Sequence, residues 1–157
     1  MTFSKILVPY DGSKYAEKAL NKAVNMAKMT KGSEIIILNI MEEIPVPPAL
    51  FTIRVRHHKT GEDTNLSTYF RDVQTDMRHE TMSKLEEKKQ KYKNSVRIRS
   101  AVLVGRPEDK IVQFANRQNA DLIAMGSRGL KGISRWVMGS VSRSVSERAK
   151  CTVMIVK

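Results

Sequence analysis

Apolar residues along this chain fall into two kinds of pattern. Short unbroken runs alternate with stretches where apolar residues recur every three or four positions. Ile6-Leu7-Val8 centres the first run, at residues 3–8. Ala16, Leu20, Ala23, Val24 and Ala27 follow at helical spacing and predict an amphipathic helix over 14–30. Pro9-Tyr10-Asp11-Gly12-Ser13 breaks the chain between them, with Ser13 or Asp11 as the N-cap. Ile35-Ile36-Ile37-Leu38 lies inside a second run, 34–41, continuous enough for a strand covered on both faces. This β-α-β order within some 40 residues predicts a parallel sheet with right-handed crossovers.

Residues 42–68 break the rhythm. Pro45, Pro47 and Pro48 deny regular structure, Phe51 to Arg56 alternates as a stray β-segment, and His57 and His58 are expected at the surface. Adjacent histidines face different ways on either regular element, and no cysteine is near, so no metal site is expected there. Asn65-Leu66-Ser67 matches a glycosylation sequon, discounted because nothing indicates secretion. The 44–68 segment reads as a partly mobile excursion, either a lid on the binding edge or a dimer contact. Phe70, Val73, Met77, Thr81, Leu85 and Tyr92 then predict a long helix over 69–93. The mixed charges on its outer face read as a solvated surface with local ion pairs rather than a nucleic-acid surface, since no aromatic residues are interleaved.

Residues 96–104 form a third strand, whose alternating Arg97 and Arg99 suit a sheet edge. Pro107 opens a short helix with Ile111, Phe114 and Ala115 inward. A fourth strand at 121–125, a helix marked by Val141, Val145 and Ala149, and an apolar fifth strand at 152–156 complete the chain. Five strands alternate with four helices without repeat or linker. The fold class is α/β, three layers around a parallel sheet, as one domain over 1–157. A bare apolar final strand would invite pairing, so it is expected to join its copy in a homodimer.

Charge narrows the partners. The net charge is +12, from 28 basic and 16 acidic residues. From position 126 onward seven basic residues face only one acidic residue, Glu147. Such a field favours anions. No apolar run approaches the roughly 20 residues of a membrane span, and no signal peptide is evident. Cys151 stands alone, which suits a reducing cytoplasm. No membrane partner is expected, and nucleic acid is a minor alternative.

Ligands of open parallel sheets bind at the carboxyl ends of the strands. Pro9, Tyr10 and Asp11 follow the first strand, and Ile40, Met41 and Glu42 close the second. The fourth ends in Gly126-Ser127-Arg128-Gly129, with Gly139-Ser140-Val141-Ser142 opening the last helix. Small residues at a strand–loop–helix junction leave first-turn N–H groups bare, and the helix dipole favours negative charge there. The P-loop, the dinucleotide fingerprint and the nucleophile elbow are all absent. The three histidines suggest no catalytic triad, and neither catalytic residues nor protein metal ligands are expected.

The spacing Gly126-x2-Gly129-x9-Gly139-Ser140 resembles the signature of the universal stress protein family, of its nucleotide-binding kind. Val8-Pro9-Tyr10-Asp11-Gly12-Ser13, Gly105-x-Pro107 and the hydrophobic last strand extend the likeness to nearly the whole chain outside 44–68. The resemblance implies an adenine-nucleotide alpha-hydrolase-like sheet of order 3-2-1-4-5, with ATP (or AMP or ADP) between strands one and four. It places Asp11 toward the ribose or adenine and the Ile40 backbone at the adenine edge. Gly126, Gly129, Gly139, Ser140, Val141 and Ser142 would surround ribose and phosphates. Ser127 belongs to the same loop, and Arg128 and Lys131 either neutralise phosphate or are simply exposed. Magnesium or manganese would be held through the phosphates. Three functions stand side by side: a nucleotide-dependent regulatory or stress-response protein, a weak ATP hydrolase, and a basic adaptor that binds nucleic acid without nucleotide.

Overall fold

The computed structural model describes residues 2–130 and 138–157. Five strands form the main sheet: β1 (Lys5–Pro9), β2 (Glu34–Met41), β5 (Arg97–Val104), β6 (Leu122–Gly126) and β7 (Thr152–Val156). All pairings are parallel, in the order β5-β2-β1-β6-β7. Numbered by their place in the chain, these strands run 3-2-1-4-5. Each of Ile6, Leu7 and Val8 on the central strand is fully buried. Alternation by two splits the core into layers. Ile6, Val8, Ile35 and Ile37 face α1 (Lys14–Lys28) and Leu85 of α2 (Leu66–Gln90). Leu7, Ile36 and Leu38 face α3 (Pro107–Gln118) and α4 (Ser140–Arg148) through Ile111, Phe114 and Val145.

Local chemistry fixes the junctions. The Ser13 side chain, not that of Asp11, caps α1, its Oγ accepting from the Ala16 N–H at 3.1 Å. Gly12 turns the chain there at φ 85°, a left-handed conformation that favours glycine. Pro107 occupies the start of α3, where its missing N–H costs nothing. At the outer edge of the sheet, exposed Arg99 of β5 pairs with Glu34, Nε to Oε1 at 2.8 Å. Thus the alternating arginines do mark an edge.

The excursion is more ordered than its composition suggests. After a 3-10 turn at Pro48–Leu50, β3 (Arg54–Arg56) pairs antiparallel with β4 (Asp63–Asn65). The stray β-segment is therefore half of a hairpin, additional to the five expected strands. Asn65 serves as the N-cap of α2, accepting from the Thr68 N–H at 2.8 Å, so the helix begins three residues earlier than its periodicity indicates. Contrary to expectation, His57 is buried, and its ring stacks on that of exposed His58 with centroids 5.0 Å apart. Its Nδ1 accepts the N–H groups of Lys59 and Thr60, both at 3.3 Å, and Tyr69 of α2 meets its ring edge-on. A tight turn and the helix above it bring two side chains together that neither a strand nor a helix would align.

That role also explains α2. Its first half rests on the hairpin, through Asp76 to Lys59 and Tyr69 to His57. Its second half reaches α1, through Lys88 to Glu17 and Tyr92 to Asn21. Met77, expected inward, is exposed, and Leu85 is the buried residue of this helix. On the outer face, Lys84 pairs with Glu80 at 2.6 Å and Lys89 with Glu86 at 2.5 Å, the local ion pairs expected of a solvated face.

Candidate functional site

At the carboxyl edge of the sheet, where β1 and β6 diverge into their loops, lies a cavity of about 550 Å³. Pro9, Tyr10 and Asp11 line it from β1, and Ile40 from β2. Gly126, Arg128 and Gly129 border it from β6, and Gly139, Ser140, Val141 and Ser142 from the start of α4. Of the described candidate residues read from the sequence, Ser127 and Met41 are missing from this wall. Lys131 lies outside the described residues.

Ser127 instead acts through its backbone. Its N–H donates to Val156 of β7 at 2.8 Å. Its carbonyl accepts the Gly139 N–H at 2.8 Å and lies 3.0 Å from the Ser142 hydroxyl. These bonds fasten the two ends of the glycine loop together. The buried Ser142 hydroxyl is also 3.0 Å from the Gly139 carbonyl, and its one proton serves either acceptor. Ser142 is thus a staple of the loop. Among the described residues no side-chain acceptor caps α4 at Gly139, so its first-turn N–H groups face the cavity without one.

The glycines differ in their work. A Cβ on Gly126 would meet Tyr15 Cβ at 2.7 Å and the Tyr15 carbonyl carbon at 2.8 Å. Gly126 ends β6, in register with Val156, and it lets α1 lie against that strand. A Cβ on Gly129 would meet Asp11 Oδ2 at 2.6 Å, and one on Gly139 the Ser127 carbonyl oxygen at 3.3 Å. Those two sites keep the loop closed upon itself and upon Asp11. Asp11 is a clasp: Oδ1 accepts the Ser13 N–H at 2.9 Å and Oδ2 the Leu130 N–H at 3.1 Å.

Charge is placed with similar economy. The Arg128 guanidinium lies over the Tyr15 ring, 5.5 Å from its centroid, and its Nη1 donates to the Tyr15 hydroxyl at 3.3 Å. Tyr10 donates to Glu17 Oε2 at 2.6 Å, and Lys88 donates to the same oxygen at 2.9 Å. Burial, then the bond to Glu17, raises the Tyr10 phenol above its ordinary value. For Glu17, burial pushes upward, but the bonds from Tyr10 and Lys88 prevail and hold the carboxyl below its usual range. The bond to Glu17 raises Lys88. This triad ties the end of β1 to both α1 and α2.

Sequence reasoning missed part of the wall. Leu38, Met125, Pro107 and Ile111 give it an apolar lining, and Glu108 a carboxylate. The helix starting at Pro107 is readable from sequence. Its arrival over β2 is a consequence of the crossover from the edge strand, which no local pattern records. Among the described residues, no cluster of His, Cys, Asp or Glu could hold a metal ion, and no helix is long and apolar enough to cross a membrane.

The sequence model of the universal stress protein family matches residues 2–157. The universal stress protein YxiE of Bacillus subtilis is 31% identical over 158 residues, covering 99% of each chain. The solved structure of the universal stress protein UspA from Lactobacillus plantarum superposes with a TM-score of 0.80 at 20% identity, over 100% of this chain and 99% of that one. That of an Arabidopsis thaliana family protein with AMP bound does so at 0.64 and 21% identity, over 98% and 91%. Sheet order, family model and full-length relative agree, and the chain belongs to the universal stress protein family.

Proposed function

We propose that this chain is a nucleotide-binding member of the family, a single cytoplasmic domain that takes ATP in the cavity between β1 and β6 and uses it to regulate a partner or its own assembly. The convergence of Asp11, Ile40, Gly129, Gly139, Ser140 and Val141, scattered in sequence, on one cavity carries the reading. Its volume falls within the roughly 300–1,000 Å³ of small-molecule sites. The apolar side, with Leu38, Ile40 and Met125, suits a base, and the bare N-terminus of α4 beside Arg128 suits phosphates. AMP bound in the Arabidopsis relative supports an adenine nucleotide. Magnesium or manganese would ride on the phosphates, since the wall offers no metal cluster among the described residues.

The homodimer belongs to the same proposal. β7 is the far edge of the sheet, and Val153, Met154 and Ile155 are only half-buried within one chain. Pairing with a copy would cover them. Light scattering at micromolar concentration should give twice the 17.8 kDa chain mass, and a monomer would count against it. Calorimetric titration with ATP, after removal of co-purified nucleotide, tests the site itself. One saturable site without phosphate release over hours is the expected result. Salt-sensitive nucleic-acid binding in place of nucleotide binding would favour the adaptor instead.

A further inference from the structure

We propose that the Glu108 side chain selects the base, accepting the exocyclic amino group of a 6-amino purine and turning away 6-oxo purines. The inference rests on the nucleotide reading above and adds a specificity-determining residue to it. Glu108 is the second residue of α3, which packs on β2 and α4. It borders the cavity with Leu38, Ile40 and Glu42 on the β2 side, where Leu38 and Ile40 give an apolar face, while α4 and the glycine loop occupy the β6 side. A base lying on that apolar side would present its edge to whatever polar group stands there.

The carboxylate is poised for one task. Its side chain is 20% exposed, and Oε1 accepts from Arg106 Nη2 at 2.7 Å. Among the described residues Oε2 takes no hydrogen bond. Arg106, whose side chain is largely exposed, also stands 3.8 Å from Asp109, which Arg148 holds at 2.8 Å, so Oε1 of Glu108 ends a short chain of ion pairs. An ionised carboxylate accepts hydrogen bonds and donates none. An amino group at purine position 6 would satisfy Oε2, whereas an oxo group would set acceptor against acceptor in a half-buried place.

AMP and IMP differ at position 6, amino against oxo, and at N1, an acceptor in AMP and an N–H donor in IMP, so a carboxylate that faces position 6 rather than N1 favours AMP. Their dissociation constants should be measured by calorimetry on the full chain, for wild type, Glu108→Gln and Glu108→Ala. Wild type should prefer AMP by about tenfold or more, the scale of one satisfied against one opposed polar contact. Glutamine can both accept and donate, so Glu108→Gln should bring the two nucleotides within about twofold, chiefly by tightening IMP. Glu108→Ala should also flatten the preference. Circular dichroism confirms the fold; if the alanine variant unfolds, the near-isosteric glutamine variant decides. An undiminished AMP preference in folded Glu108→Gln, or no preference in wild type, would overturn the role of Glu108 and leave the nucleotide site standing. Failure of wild type to bind either nucleotide would overturn both readings.

Discussion

Replacing Gly126 with alanine should weaken the fold without emptying the site. An added Cβ would stand 2.7–2.8 Å from Tyr15 and 3.0 Å from the Ala16 nitrogen. Ordinary contact begins near 3.4 Å, so α1 would have to retreat by several tenths of an ångström. That helix buries Ala16, Ala19, Leu20, Ala23, Val24 and Ala27, and its small side chains leave little slack. Overpacking of this kind costs about 1–3 kcal/mol. Against it stands a gain of about 0.4–1 kcal/mol from the stiffer unfolded chain. The net loss should be about 1–2 kcal/mol, or roughly 2–8 °C in melting temperature for a chain of this size. Urea unfolding would read the stability, and calorimetry on the folded variant the nucleotide affinity. Stability should fall while affinity stays within about threefold. Unchanged stability with lost binding would give Gly126 to the ligand instead of to α1.

Two further outcomes follow from the junction chemistry. Ser142→Ala removes the staple but leaves the Gly139 N–H bond to Ser127 in place, so unfolding should cost about 0.5–1.5 kcal/mol less, with weaker nucleotide binding as the loop loosens. Lys88→Met should lower stability by about 1 kcal/mol at neutral pH, a modest figure because Lys88 is 23% and Glu17 34% exposed. The sign with pH is fixed by both partners. Glu17 is held below its ordinary 4.5, so its contribution is present above that value and fades as pH falls through the lower folded value. Lys88 is raised above 10.5, so its contribution is complete below that value and fades as pH rises through the higher one. Unfolding curves of wild type and variant should therefore differ at intermediate pH and converge at both extremes.

The parts of this molecule that burial alone dictates were legible. A run such as Ile35 to Leu38, sealed on both faces, has one sensible place in a parallel sheet, and the small residues along α1 announce close packing. The hairpin was not legible, because β3 and β4 are three residues each and largely exposed. They persist through tertiary contact, above all the burial of His57 beneath Tyr69. Asn65 shows the limit of a motif read alone: as a sequon it said nothing, whereas as a cap it starts α2. For the site, spacing pointed to the right loop but not to each residue's task. A glycine records that space was needed, not for whom. Gly126 clears it for a helix, and Gly129 for Asp11. Glu108 and Ile111 could be placed on a helix from sequence, yet only the crossover over β2 brings them to the cavity.

Nucleotide binding in this cavity is the property to test first. Nucleotide-free wild type and Gly139→Val should be titrated with ATP side by side. A Cβ at Gly139 already stands 3.3 Å from the Ser127 carbonyl, so the branched side chain must force apart the loop and the start of α4. One saturable ATP site per wild-type chain and a loss of at least tenfold in affinity for the folded variant are expected. Absence of ATP binding by wild type, or equal binding by folded Gly139→Val, would contradict nucleotide binding in this cavity.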